Sequence, residues 1–109
     1  MEGRTMKVQQ YGSNQTIISW SVDGQPIELF FSYTTVVAGK CGDTVFKTDE
    51  YHSVTTSKHI NAYLRAEWAV EDVKKVPQID QNILNQVGNV NSDPSKAFLI
   101  LANNLKAVA

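Results

Sequence analysis

The chain has 109 residues, of which 42% are hydrophobic and 19% are charged. These fractions are typical of a folded protein and exclude global disorder. A chain of this length is expected to form one domain, residues 1–109, with a core that needs neither disulfides nor a metal. Ten Lys and Arg residues against eleven Asp and Glu residues give a formal net charge of -1. Net charge therefore gives no reason to expect binding to nucleic acid or to a membrane surface.

Cysteine content and hydropathy indicate where the protein works. The single cysteine, Cys41, excludes an internal disulfide. The N-terminal residues lack the charged and apolar pattern of a signal peptide. The longest apolar run, Ala97 to Ala102, is far too short to span a bilayer. We therefore expect a protein of the cytoplasm that does not enter a membrane.

The first half of the chain predicts β-structure. Met6–Tyr11 alternates between apolar and polar residues and predicts a short strand. Two runs rich in β-branched and aromatic residues, Thr16–Val22 and Gln25–Phe31, flank Asp23-Gly24. An Asp-Gly pair between such runs predicts a hairpin, because a type I′ turn needs positive φ at both central residues.

This turn also fixes the register of the hairpin. With Val22 opposite Gln25, the pairs are Trp20–Ile27 and Ile18–Leu29 on the predicted core face, and Ser19–Glu28 and Ile17–Phe30 on the other. Pro26 has no N–H to donate, so the second strand should have a free edge near the turn.

A second hairpin is predicted further along the chain. Ser32–Ala38 continues in β-branched residues, Gly39–Asp43 has turn chemistry, and Thr44–Thr48 returns as a strand. Residues 39–42 also have the G-x-x-G spelling of the loop that clamps nucleotides in KH modules, but that loop joins two helices. We interpret residues 39–42 as a hairpin tip that presents Lys40 to a polyanion.

The second half predicts three helices. Thr56 or Ser57 caps a helix with the apolar stripe Ile60, Leu64 and Trp68, which should run to about Lys75 because Pro77 follows. Residues 78–87 predict a short helix ended by Gly88, and Asp93-Pro94 predicts the N-cap and first position of a helix over residues 95–108.

The last helix is apolar around most of its first half. Its main stripe is Ala97, Phe98, Leu101, Ala102, Leu105 and Val108, widened by Leu99 and Ile100. Such a helix is either buried on two sides or partly covered by another chain, for example in a homodimer through this C-terminal helix.

Residues 51–64 hold the densest run of polar groups with functional potential. His52 and His59 stand seven residues apart, which fits no compact metal-ligand spacing when only one cysteine is available. Ser57 and His59, at i and i+2 on a helix, point about 200° apart, and the chain has no G-x-S-x-G elbow. We predict no catalytic residue, no metal, no cofactor and no enzymatic activity.

The hydroxyls of this run allow two interpretations. The favoured one is that Ser53, Thr55, Thr56 and Ser57 cap the helix and tether the loop before it. The alternative is an anion-accepting helix start at Ser57, Lys58 and His59. The predicted partner-binding residues are Lys40, Tyr51, Ser57, Lys58, His59 and Asn61.

A nucleic-acid surface would need cations interleaved with aromatic rings. The sequence offers Lys40, Lys47, Lys58 and Arg65 with Tyr33, Phe46, Tyr51 and Tyr63. The alternative is that Phe46 and Tyr63 belong to the core.

Three segments resemble short uncharacterised proteins encoded by bacteriophages. They are Phe31–Ala38, Tyr51–Leu64 and Val76-Pro77-Gln78, and the resemblance covers roughly residues 28–84. It implies a phage or prophage origin and the host bacterial cytoplasm as the workplace, and it carries over no catalytic residues.

Together these patterns predict an α+β fold: a small antiparallel sheet of two hairpins from the N-terminal half, with one face covered by two or three C-terminal helices. The leading expectation for function is a phage-type accessory protein that binds a host or phage protein stoichiometrically. Its most concrete form is an inhibitor of a host defence nuclease, as anti-CRISPR proteins are. The alternatives are a nucleic-acid-binding accessory protein and a self-associating structural component.

Overall fold

The computed structural model describes residues 7–88 and 94–108, and it confirms the α+β class. The strands are β1 (Lys7–Gly12), β2 (Gln15–Val22), β3 (Gln25–Ser32), β4 (Thr35–Cys41), β5 (Thr44–Thr48) and β6 (Gln78–Ile79), and the helices are α1 (Val54–Trp68), α2 (Gln81–Gly88) and α3 (Pro94–Val108). Strands β1 to β5 form an antiparallel meander in chain order, and β6 pairs parallel with β5. A single 3₁₀ turn, Val73–Lys75, lies between α1 and β6 in the described part of the chain.

The β2–β3 hairpin has the predicted turn and register. Asp23 and Gly24 have φ angles of 51° and 80°, and Val22 lies opposite Gln25. Pro26 lies just beyond the last β3–β4 pair, and its carbonyl oxygen accepts a 2.8 Å hydrogen bond from the Gly42 N–H. The predicted free edge is therefore wrong, because β4 lies beside β3 as far as Ile27, and Pro26 is tolerated because it lies one residue beyond this ladder.

The chain reverses at Tyr33-Thr34, where the sequence predicts a continuing strand. Tyr33 adopts a φ of 59°, which is rare for a residue with a Cβ atom, and its N–H donates to the Asn14 carbonyl at 2.7 Å. Asn14 itself has a φ of 59° in the β1–β2 turn. The two predicted hairpins are thus present within a longer meander that has two further tight turns.

The tip of the β4–β5 hairpin is Gly42-Asp43, and the predicted tip at Gly39–Asp43 is too long. Gly39 and Lys40 belong to β4, where Lys40 pairs with Glu28 on one side and Val45 on the other. The interpretation of Lys40 as an exposed tip residue is therefore wrong, because the ladder continues two residues past the first glycine.

Helices cover both faces of the sheet, whereas the sequence predicts cover on one face only. Helix α1 packs on the face that carries Ile17 and Phe30, and α2 and α3 pack on the face that carries Trp20 and Leu29. A β-bulge at Val37 in β4 adds a further side chain to the α1 face. Both faces are apolar in the middle of the sheet, so each needs a helical layer.

Helix α1 begins and ends earlier than predicted. Ser53 is its N-cap, and the Ser53 hydroxyl accepts a 3.0 Å hydrogen bond from the Thr56 N–H. The helix ends at Trp68 because Ala69 adopts a left-handed φ of 53° and donates its N–H to the Arg65 carbonyl. The predicted continuation to Lys75 is therefore wrong.

The two later helices also differ from their predicted bounds. Helix α2 starts at Gln81, since residues 78–79 pair with β5 as β6. Helix α3 starts at Pro94, and the predicted N-cap Asp93 lies outside the described residues. Ala97, Leu101 and Leu105 are buried on its inner side, while the Leu99 side chain is 58% exposed.

Candidate functional site

A polar groove lies on the α1 face of the sheet, at the C-terminal end of α1. Its volume is about 350 Å³. The lining residues are Lys7, Ser19, Trp20, Ser21, Pro26, Ile27, Glu28, Lys40 and Trp68. We call this set the polar groove.

One row of side chains crosses the polar groove from strand to strand. Lys7 pairs with Ser19, Ser19 with Glu28, and Glu28 with Lys40. Directly paired residues point to the same face of a sheet, so the row carries a cation, a hydroxyl, a carboxylate and a second cation in order. Two lysines against one glutamate give the lining a formal charge of +1.

A chain of hydrogen bonds fixes the Glu28 carboxylate. The Tyr63 hydroxyl donates to Glu28 Oε2 at 2.5 Å and accepts from the Trp68 indole N–H at 3.0 Å. Tyr63 is fully buried and stacks on Phe30 with 4.3 Å between ring centroids. Because these rings are packed in the core beneath α1, the carboxylate is held by groups that do not move freely.

Burial favours the protonated form of the Tyr63 hydroxyl in this hydrogen-bond chain. Burial, and then the hydrogen bond to Glu28, raise the pKa of Tyr63 well above its ordinary value of 10.0. Tyr63 therefore stays protonated, and so remains a donor, well above neutral pH. The Lys40 ammonium lies 4.2 Å from the centroid of the Trp68 ring, a cation–π contact that places this charge at the wall of the polar groove.

A second pocket of about 210 Å³ brings together three of the predicted partner-binding residues. Tyr51, Ser57 and Asn61 line it. The rest of the lining is Lys47, Thr48, Asp49, Glu50, Ile60 and Gln78. Two carboxylates against one lysine make this second pocket formally negative, which disfavours an anion.

The predicted anion-accepting helix start at Ser57 is wrong in its position. Ser57 lies in the second turn of the helical segment opened by Ser53, and its N–H donates to the Ser53 carbonyl at 3.0 Å. That N–H is therefore not available to a ligand. Lys58 is exposed and His59 is half-buried, and neither lines the polar groove or the second pocket.

His59 instead holds α1 to the sheet. Its Nδ1 atom lies 2.9 Å from the Ser32 hydroxyl, which is also 3.2 Å from the Thr56 hydroxyl. The Ser32 residue is 2% exposed and lines neither the polar groove nor the second pocket. A serine beside an imidazole resembles a nucleophile with its base, but a substrate cannot reach a hydroxyl that is closed off in this way.

The interpretation of two aromatic residues as core is confirmed. Phe46 and Tyr63 are fully buried, so they cannot stack on bases at the surface. Tyr33 and Tyr51 remain exposed. In the described ranges, no group of three or more His, Cys, Asp and Glu side chains is placed to hold a metal ion. No helix within those same ranges is long and apolar enough to cross a membrane.

The buried thiol of Cys41 yields a prediction on alkaline stability. Cys41 is 6% exposed, and burial raises the pKa of its thiol from 9.0 to about 11. The raised pKa means that the resulting stability is complete below pH 9.0 and is lost as the pH rises towards 11. Between pH 8 and pH 10.5, wild type should lose about 2 kcal/mol more unfolding free energy than Cys41→Ala.

Urea unfolding of both proteins at the two pH values measures this difference. Wild type and variant share every other titrating group, including Tyr63, so the comparison isolates the thiol. Equal losses in the two proteins would contradict the expected burial of Cys41. The thiol should also resist alkylation at neutral pH until the protein unfolds, since the thiolate is the reactive form.

Comparison with known proteins yields one family match. A family of unknown function, DUF8033, matches residues 6–82. The match spans all six strands and α1, and it includes every residue that lines the polar groove and the second pocket. It stops at the second residue of α2, so α3 lies outside it. No curated protein and no solved structure matches the chain. The chain belongs to the DUF8033 family, whose function is unknown.

Proposed function

We propose that this protein is a non-enzymatic binding protein and that a partner protein docks in the polar groove. The observation that carries the proposal is the fixed Glu28 carboxylate, which lines the groove and accepts a hydrogen bond from Tyr63, whose hydroxyl in turn accepts from Trp68. A polar group that is already fixed costs little conformational entropy on binding.

The order of charges in the polar groove indicates the chemistry of the partner. A cation facing Glu28, flanked by acidic or hydroxyl groups facing Lys7 and Lys40, would complement the row across the sheet. Complementary charge at an interface selects the partner and speeds its association. A short polar segment with alternating charge is therefore the expected ligand.

The most concrete form of this proposal is an inhibitor of a host defence system, acting in the bacterial cytoplasm on a defence nuclease. Its support is the resemblance of residues 28–84 to phage-encoded proteins. The polar groove adds a defined docking place, which a stoichiometric inhibitor requires. Partner binding by Tyr51, Ser57, Lys58, His59 and Asn61 stays a prediction beside it.

The test starts with affinity capture from a host lysate and continues with calorimetric titration of the purified partner. Glu28→Gln keeps the shape and the acceptor for Tyr63 but removes the charge, so we expect affinity to fall about tenfold or more. Glu71→Gln removes one charge from an exposed position outside the polar groove, and its affinity should stay within about twofold of wild type.

The affinities of these variants distinguish docking in the polar groove from docking elsewhere on the protein. Equal affinity of wild type, Glu28→Gln and Lys40→Met for the captured partner would contradict docking in the polar groove. A loss confined to Lys58→Ala would instead favour the exposed side of α1. Thermal unfolding of each variant shows whether a change in affinity reflects a change in stability.

Nucleic-acid binding is the second candidate, because the two lysines make the polar groove formally positive. Phosphate contacts would give an affinity that falls steeply with salt concentration. A mobility-shift titration with single-stranded and duplex probes at low and high salt decides this. Absence of binding at low salt removes the candidate.

A further inference from the structure

Among the residues that the structure describes, strand β1 forms the long free edge of the sheet. It pairs with β2 on one side, and its first four residues are exposed, with Val8 at 67%. The other end of the sheet is the two-residue strand β6. A free edge presents unpaired N–H and C=O groups and is a template for another strand.

The register shows which groups of β1 point outward. In a type I′ hairpin the residues that flank the turn exchange hydrogen bonds, which makes Val22 and Gln25 a bonded pair. Bonded pairs alternate along each strand, so β2 uses Ser19 and Ile17 to bond β1, opposite Lys7 and Gln9. Val8 and Gln10 then direct their N–H and C=O groups away from the sheet.

Within the described part of the chain, this edge is protected at its two ends but not in its middle. Natural edge strands avoid pairing by means of charges, prolines, bulges or short length. Lys7 protects one end of β1, and the bulge between Gln10 and Gly12 interrupts the other. The three residues between them, Val8, Gln9 and Gln10, carry no charge and no proline.

We propose that β1 pairs antiparallel with β1 of a second copy of the chain, which joins the two sheets into one. The two-fold axis passes through Gln9, so that Val8 of each copy lies opposite Gln10 of the other. This register uses both outward-facing residues of each copy. It also sets Lys7 opposite Tyr11 of the second copy, four residues from the second Lys7.

Neighbouring registers are less favourable. A shift by one step towards the N-terminus pairs Val8 with Val8 and brings the two Lys7 side chains closer together. A shift by one step towards the C-terminus would need Gly12 to pair with Val8 of the second copy. Gly12 lies beyond the bulge and pairs with Gln15 in β2 instead. Charge separation and the bulge together select the register centred on Gln9.

The dimer is held by two pairs of main-chain hydrogen bonds and buries little area, so it should be weak. Sedimentation equilibrium between about 20 µM and 1 mM covers the range expected of such a small interface. Amide exchange gives a residue-level readout. Protection of the Val8 and Gln10 amides should rise with protein concentration, while Lys7 and Gln9 are protected at every concentration.

Val8→Pro removes the outward N–H from both copies at a position where the β1–β2 ladder does not need it. Two lost hydrogen bonds should raise the dissociation constant about thirtyfold. Val8→Thr keeps the N–H and the β-branched shape, so it is the matched control and should dimerise nearly as wild type does. Circular dichroism checks that both variants fold.

Two double variants test the register itself. Val8→Lys with Gln10→Lys places like charges opposite each other twice and should dissociate the dimer. Val8→Lys with Gln10→Glu places opposite charges together twice, so its dissociation constant should be about tenfold or more below that of the first pair. If Val8→Pro fails to fold, the comparison of the two double variants still tests pairing through β1.

Several results would overturn the proposal. Wild type that stays monomeric at 1 mM, or double variants that associate equally, would exclude pairing through β1. Association that Leu99→Ser abolishes and Val8→Pro leaves intact would place the interface on α3, where Leu99 is exposed.

Discussion

Replacement of Gly39 by alanine should prevent the sheet from closing between β3 and β5. Gly39 lies within β4, opposite Leu29 on one side and Phe46 on the other. A Cβ atom at this position would clash with the main-chain oxygen of Glu28 and would come within 2.8 Å of Phe46 Cζ. Main-chain atoms in a ladder cannot withdraw, so we expect a loss of about 3 kcal/mol or more.

Gly24→Ala is the matched control for this substitution. Gly24 has a φ of 80° in the β2–β3 turn, but no atom lies within 4 Å of its added Cβ. Its cost is therefore conformational only, about 1 kcal/mol. Urea unfolding of both variants measures the difference. Equal losses would mean that the β3–β4 ladder can move aside, and would contradict the tight packing around Gly39.

Local turn chemistry decides which parts of the sheet could be predicted. The Asp23-Gly24 turn forms from its own residues, so its position and register follow from the sequence. The Tyr33-Thr34 turn has no glycine, proline, asparagine or aspartate to indicate it. Its positive φ is supported by a hydrogen bond to Asn14, which is distant in sequence. Such a turn is visible only after the strands have paired.

The sequence does contain a signal that helices pack on both faces of the sheet. Leu29-Phe30-Phe31 and Val36-Val37-Ala38 are consecutive apolar runs, and a strand with one solvated face would alternate instead. At Gly39 the sequence pattern misleads instead, because it predicts a turn where the structure has strand β4. Glycine occurs both in turns and where another backbone approaches closely, and the sequence does not distinguish these uses.

The polar groove could be predicted only in part. The hairpin register places Ser19 and Glu28 on one face, as the structure has them. Lys40 joins that row only if β4 continues past Gly39, and Trp68 reaches it only if α1 ends there. Both conditions depend on contacts between distant segments. The sequence pattern assigns Trp68 to the apolar stripe of α1, although its indole N–H serves Tyr63.

The role of Gln81 also could not be predicted, because nothing in the sequence distinguishes this residue from its polar neighbours. The structure buries it to 6% exposure between β4, β5 and α2. Its Oε1 atom accepts from the Thr48 hydroxyl at 2.6 Å and from His52 Nε2 at 2.9 Å. Its Nε2 atom donates to the Val36 carbonyl at 2.9 Å and to Asn85 Oδ1 at 3.0 Å. One amide thus satisfies four polar groups.

Gln81→Ala should therefore cost about 3–5 kcal/mol, because it leaves the buried Thr48 hydroxyl without an acceptor for its proton and the Val36 carbonyl without its side-chain donor, as well as opening a cavity. Urea unfolding followed by tryptophan fluorescence measures this loss. Asn85→Ala is the control, since it removes only the bond at the exposed end of the amide and should cost about 1 kcal/mol. Similar losses in the two variants would contradict a central role for Gln81.

The slope of the urea transition separates two ways in which Gln81→Ala could act. Gln81 joins the sheet to the loop before α1 through His52 and to α2 through its own backbone. If these contacts hold one cooperative unit together, the midpoint should fall while the slope stays unchanged. A lower slope with an early fluorescence change would mean that α2 and α3 leave the sheet first. The family match ends one residue after Gln81, at the junction where such a separation would begin.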